Sequence, residues 1–151
     1  MSSAFGEGRS VAFSPDGEQD RKPGGATDTM VVLAVIVGGF IGACLRHVLS
    51  SVLQAYTRSW FPIGIFVVNL TGALLLGVVT GLASRQRWPP WLVTGVGTGA
   101  IGAYTTYSTW ANDSINLWRS GRPHGLALNL LGSVIPGVAL ASLGLAVGSR
   151  L

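Results

Sequence analysis

Four apolar runs take up nearly all of the chain after residue 29, and each is close to the roughly 20 residues that carry a helix across a bilayer. They cover about 30–55, 63–83, 91–118 and 125–149. In hydrocarbon every backbone N–H and C=O must find a partner within the protein, so helices are the expected form. Proline stands at the start of the last three runs (Pro62, Pro89 with Pro90, Pro123), where its missing N–H would have had no partner anyway. Trp60, Trp88, Trp91 and Trp118 fall near run ends, at the depth where indoles settle in a membrane. The expected fold is an all-α membrane protein of four transmembrane helices over residues 30–151, multi-pass in the cell (inner) membrane.

Charge placement agrees. Only 11% of residues are charged, against about 25% in an ordinary soluble domain. Five of the six acids (Glu7, Asp16, Glu18, Asp20, Asp28) precede residue 29, which leaves Asp113 alone beyond it. Residues 1–29 are polar and lack the apolar core of a signal peptide. They are expected to be a disordered extension, because they cannot bury enough apolar area to offset chain entropy. The basic residues are scattered at run ends and form no single face, so nucleic acid is not an expected partner. Cys44 is the only cysteine, which excludes an internal disulfide and a CxxC metal site. The runs hold no His–Ser–Asp set, no paired carboxylates and no phosphate loop, so no enzyme is expected.

An even number of spans puts both termini on one side, with Arg9, Arg21, Lys22, Arg85, Arg87 and Arg150. Arg58, Arg119 and Arg122 lie on the other. Six against three favours cytoplasmic termini. Without the distant Arg9 the bias is weak, and insertion in either orientation stays open.

The third run is the unusual one. Its stretch GVGTGAIGAYTTYSTW (95–110) has no charge, yet Gly95, Gly97, Gly99 and Gly102 crowd its first half, each costing about 1 kcal/mol of helix propensity against Ala. A weakened helix in lipid is tolerated where the freed backbone faces protein or a water-filled path. Carbonyls freed at such a break, at residues such as Gly102 and Thr105, are good ligands for a hard cation. Tyr104, Tyr107 and Ser108 fall at i, i+3 and i+4, on one helical face, and the rings of Tyr107 and Trp110, also three apart, are expected to stack along the axis. Ring edges are electropositive, and together with hydroxyls and an amide they can replace part of a small anion's water. Aromatics as plain core packing is the competing reading.

The polar residues inside the other runs each carry two readings. Arg46 either snorkels to the interface or sets a positive potential at a vestibule mouth. Asn69 bonds a neighbouring helix or a permeating species, since an unpaired amide in hydrocarbon is expensive. Thr71 can satisfy itself on its own helix. Asp113 is an interfacial charge or a vestibule group. Asn129 and Ser133 share a face and either form a polar track or glue helices together. Small-xxx-small pairs at Gly38/Gly42, Gly77/Gly81, Gly95/Gly99, Gly137/Ala141 and Gly144/Gly148 predict close helix packing. Four spans enclose little interior, so a conduction path calls for a second subunit.

These residues resemble the Fluc (CrcB) family of fluoride channels over about 31–149. The resembling pieces are GGFIGACLRHVLS (38–50), VVNLTGALLLG (67–77), GTGAIGAYTTYST (97–109) and GRPHGLALNLLGS (121–133). The resemblance implies an antiparallel, dual-topology dimer with fluoride pathways at its interface, lipid around it, and a structural sodium ion at its centre. Position by position, it implies Gly102 and Thr105 as sodium-binding carbonyls, Asn69 as the pore amide and Arg46 as the vestibule arginine. Tyr107 and Trp110 stand where the family usually has two phenylalanines, and Ile65 stands where it commonly has Thr. With Asn69, Ser108 and Ser133, the two changed rings complete the expected pore lining. The expected function is fluoride export from the cytoplasm by a passive, selective channel. The alternatives are a partial or non-conducting subunit of a heterodimer with a second family subunit, or a proton-coupled exporter of small molecules.

Overall fold

The computed structural model describes residues 25–151 and is helical throughout apart from short connections. The expected extension lies, up to residue 24, outside the described residues. Helix α1 (Ala26–Thr57) opens four residues ahead of the apolar run, with Asp28 in its first turn, where a carboxylate meets the positive end of the helix. Helix α2 (Ile63–Gln86) follows Pro62. Helix α6 (Pro123–Gly148) places Pro123 in its first turn and carries Pro136 without interruption. These three helices, of 32, 24 and 26 residues, are each long and apolar enough to cross a membrane.

The third run crosses in pieces. Pro90–Thr94 is a short α-helix, α3. Gly95–Ile101 is wound as a π-helix. Gly102–Tyr104 returns to α as α4. Thr105 and Thr106 are extended, with ψ of 161° and 128°, and α5 (Tyr107–Arg119) then starts a new helix. The weakened first half is therefore widened into a π-helix, and the break falls at the two threonines, beside the Gly102 and Thr105 carbonyls. This corrects one expectation: Tyr104 and Tyr107 lie on opposite sides of the break, so Tyr104, Tyr107 and Ser108 do not share a helical face.

Glycine explains how the pieces pack. The π-helix lies along α1, and α2 lies along α6. A Cβ on Gly42 would land on the Ala100 carbonyl, and one on Gly38 would strike the Gly95 carbonyl. Gly77 and Gly81 on α2 meet the backbone of Ala141, Leu145 and Gly148, while Gly144 and Gly148 meet that of Leu74 and Val78. Only Gly137 of the expected set is loosely placed, with Leu70 at 3.9 Å. The closely packed pairs let the backbones touch, which is the main source of cohesion between helices where lipid tails are as apolar as leucine.

The ends are stapled by side chains. Gln54 donates to the carbonyls of Ser59 (2.8 Å) and Phe61 (3.2 Å) and accepts from the Gly64 N–H at 3.3 Å, closing the α1–α2 turn. Arg122 lies over the Trp60 ring at 4.8 Å, joining that turn to the α5–α6 turn. At the other end Arg85 donates to the Ser149 carbonyl (3.1 Å), so the C-terminal ends of α2 and α6 lie side by side.

Candidate functional site: the break in the third crossing

The break is built from the inside. Thr105 still belongs to the preceding helix: its N–H and its hydroxyl both donate to the Ile101 carbonyl, at 3.0 and 3.1 Å. Thr106 does not. Its N–H donates to Asn69 Oδ1 at 2.9 Å, and its carbonyl accepts from Asn69 Nδ2 at 3.1 Å. The side-chain amide thus stands in for the peptide group that an unbroken helix would have supplied. The Thr106 hydroxyl oxygen then accepts from the Thr109 N–H (3.3 Å), so Thr106 is the N-cap of α5. Thr106 was not singled out by sequence. The available signal was a threonine three residues ahead of another at the head of a polar helical turn.

Arg46 reaches the same place from α1, with Nη1 3.4 Å from the Thr105 carbonyl. It is half-buried and turned toward the break. Asn69 and Arg46 thus converge on consecutive residues. Asn69 makes the bond to a neighbouring segment, and one amide N–H remains beyond it.

Two further polar knots flank the break. Tyr104 shares a hydrogen bond with the Thr71 hydroxyl at 2.9 Å, and Thr71 also bonds its own helix at the Val67 carbonyl. Asn129, only 1% exposed, donates to Ser114 Oγ (2.9 Å) and to the Trp110 carbonyl (3.4 Å). Trp110 Nε1 in turn donates to the Asn129 carbonyl (3.1 Å) and to Ser133 Oγ (3.2 Å). Asn129 therefore joins α5 to α6. The Tyr107 and Trp110 rings are neighbours, with centroids 5.4 Å apart and planes tilted by 40°.

A groove of about 470 Å³ runs along this wall, lined among others by Asn69, Gly102, Thr105, Tyr107, Trp110 and Ser133. Six of the residues singled out by sequence thus border one open space. Ser108 is not among its lining; its hydroxyl lies 3.4 Å from that of Thr106. Arg46 touches the groove only through the Thr105 carbonyl. A second groove, of about 650 Å³, sits at the α1–α2 turn, with Gln54, Thr109, Asp113 and Arg122 on its walls.

The oxygens at the break fit a hard cation in kind. Among the described residues no backbone N–H reaches the Gly102 carbonyl, because the Thr106 N–H that would close that turn is held by Asn69. Gly102 O takes only a long contact, 3.4 Å, from the Thr105 hydroxyl. Thr105 O takes only the 3.4 Å contact from Arg46. Neutral oxygens with unused lone pairs are what sodium binds.

Fold and site together define a multi-pass membrane protein whose third crossing is opened by design and lined with hydroxyls, an amide and rings. The family model described as "CrcB-like protein, Camphor Resistance (CrcB)" matches residues 33–145, and the chain belongs to that family. It is 41% identical over 114 residues to the fluoride-specific ion channel FluC 2 of Geobacillus kaustophilus, covering 75% of this chain and 88% of the relative. It is 42% identical over 117 residues to the fluoride-specific ion channel FluC of Maridesulfovibrio salexigens, covering 77% and 93%. To the fluoride-specific ion channel FluC 1 of Streptomyces avermitilis it is 40% identical over 112 residues, covering 74% and 90%.

Proposed function

We propose that this chain is a fluoride-selective channel that lets fluoride leave the cytoplasm passively, and that it works as an antiparallel dimer. The single observation that carries the reading is the two-point bond between Asn69 and Thr106. It holds open a helix break beside a groove of hydroxyls and rings, in a chain with relatives named as fluoride-specific channels. A dehydrating fluoride needs several weak donors in place of its water. Asn69 has one N–H beyond the one given to Thr106, Tyr107 lines the groove and is 78% exposed, and Ser133 adds another donor. Arg46 lends a positive potential without a tight bond that would trap the ion.

A groove open along one side of a single chain calls for a second copy to close it, with a second family subunit as the alternative partner. Sodium at the centre of that dimer would rest on the Gly102 and Thr105 carbonyls of both chains, supplying a fixed positive charge and holding the breaks together. No bond is made or broken in this reading. The deciding experiment is fluoride efflux from liposomes that hold the purified chain alone, with chloride as control. Fast fluoride-selective efflux supports the homodimer. Efflux only after co-expression with another family subunit supports the heteromer, the alternative raised by the changed rings at Tyr107 and Trp110. Flux that requires a pH gradient would replace both with a proton-coupled exporter.

A further inference from the structure

We propose that Trp110 acts as a positioning residue that turns the hydroxyl proton of Ser133 into the groove, making Ser133 an anion donor set by a neighbouring indole. The proposal rests on the reading of the groove as an anion path, and it adds how one wall of that path is armed.

A serine or threonine inside a helix ordinarily donates back to the carbonyl four residues earlier. Thr57, Thr71, Thr80 and Ser142 all do so here, at 2.8, 2.8, 2.8 and 2.9 Å. Ser133 does not, although the Asn129 carbonyl stands four residues before it on the same helix. That carbonyl accepts instead from Trp110 Nε1 at 3.1 Å, and the same N–H lies 3.2 Å from Ser133 Oγ. One indole N–H therefore competes for the usual acceptor of the hydroxyl and engages a lone pair of the hydroxyl itself. Accepting a hydrogen bond also polarises the O–H for donation. Its remaining direction is the groove, where Ser133 lies with Asn69, Thr106 and Tyr107. The backbone that carries the indole is held in turn by the buried Asn129 amide, which donates to the Trp110 carbonyl and to Ser114. A phenylalanine at 110 would have no N–H with which to do any of this.

The test uses the full chain in liposomes and in detergent, with the tryptophans labelled with ¹⁵N and the Trp110 indole resonance assigned by its loss in Trp110→Phe. Sodium fluoride is the probe and sodium chloride the control. The expected result is a fluoride-dependent shift of the Trp110 N–H resonance that chloride does not give, abolished by Ser133→Ala and kept by Ser133→Thr. In flux, Ser133→Ala is expected to slow fluoride about tenfold, the size of a lost hydrogen bond to a charged group. In a Trp110→Phe background the same change should have little further effect, since the two residues act as one unit. A fluoride flux that persists while the indole resonance stays fixed overturns the positioning role and leaves the channel reading intact. Additive effects of the two substitutions overturn it as well. A chain that shows no flux but shifts its indole with fluoride keeps the positioning role and sinks autonomous conduction.

Discussion

Asn69 and Thr106 exchange two hydrogen bonds, 2.9 Å from the Thr106 N–H to Oδ1 and 3.1 Å from Nδ2 to the Thr106 carbonyl, across 37 positions of sequence. The pairing makes the second helix the support of the break in the third. It also gives Asn69 two duties, since the amide holds the backbone and faces the groove.

Replacing Asn69 by Ala is therefore expected to affect both. Thr106 would lose partners for its N–H and its carbonyl, at about 1–3 kcal/mol for each group left unpaired in a dry site. Thermal unfolding monitored by size-exclusion should show a clear loss of stability, and liposome efflux should fall further than that loss explains. An unchanged melting point would mean that Thr106 finds other partners.

Asn129 is predicted to matter for stability above all. Asn129→Leu removes an amide that is 1% exposed and joins Ser114 to Trp110. A loss of about 2 kcal/mol or more is expected, with Ser114→Ala milder because the Asn129 amide keeps its contact with the Trp110 carbonyl at 3.4 Å. Limited proteolysis in the α5–α6 turn would read it.

Two glycines offer a paired control. Gly42→Ala would drive a methyl into the Ala100 carbonyl, whereas Gly97 has nothing within 4 Å of an added Cβ. Overpacking of this kind costs roughly 1–3 kcal/mol. Gly97→Ala should be neutral or mildly stabilising in the isolated chain, by helix propensity. If both changes prove equally harmful in detergent-solubilised monomer, the α1 contact is not the cause.

Arg46 is expected to act by potential. Its contact with the Thr105 carbonyl is long, 3.4 Å, so Arg46→Gln should change the melting point by less than about 1 kcal/mol in free-energy terms. Fluoride efflux should slow, and its dependence on ionic strength should flatten, because the screened charge has been removed. A slope identical to that of the unmodified chain would argue against a vestibule role.

Sodium can be tested by omission. Purification and reconstitution with N-methyl-D-glucamine in place of sodium should lower the thermal stability of the assembled protein and its efflux together, and sodium should restore both. Thr105→Pro would remove the helical turn that presents the carbonyls and is expected to abolish the sodium effect.

Much of this fold could be read directly, because lipid leaves few options: run length, proline at run starts and small-xxx-small spacing fixed four crossings and most of their packing. The weak third crossing was also legible from Gly95, Gly97, Gly99 and Gly102. What could not be read was how it gives way. Glycine weakens a helix without saying how the chain relieves it, and Gly95–Ile101 is wound as a π-helix. The break itself lies at Thr105 and Thr106, beside the Gly102 and Thr105 carbonyls that sequence singled out, because Asn69, distant in sequence, offers the replacement bonds. For the same reason Tyr104 and Tyr107, three apart and expected on one face, were separated. Asn129 had two readings that sequence could not rank, and its burial against Ser114 decided for the joint between helices.

The restart of the helix at Thr106 has an electrical consequence. An α-helix carries a partial positive charge at its beginning and a partial negative charge at its end. In an unbroken crossing these ends sit in the headgroups, where water cancels them. Here the end of one half and the beginning of the next meet part-way through the crossing, back to back and poorly screened. A single interruption thus creates two poles of opposite sign a few ångströms apart, the pairing that the proposed cation and anion sites call for.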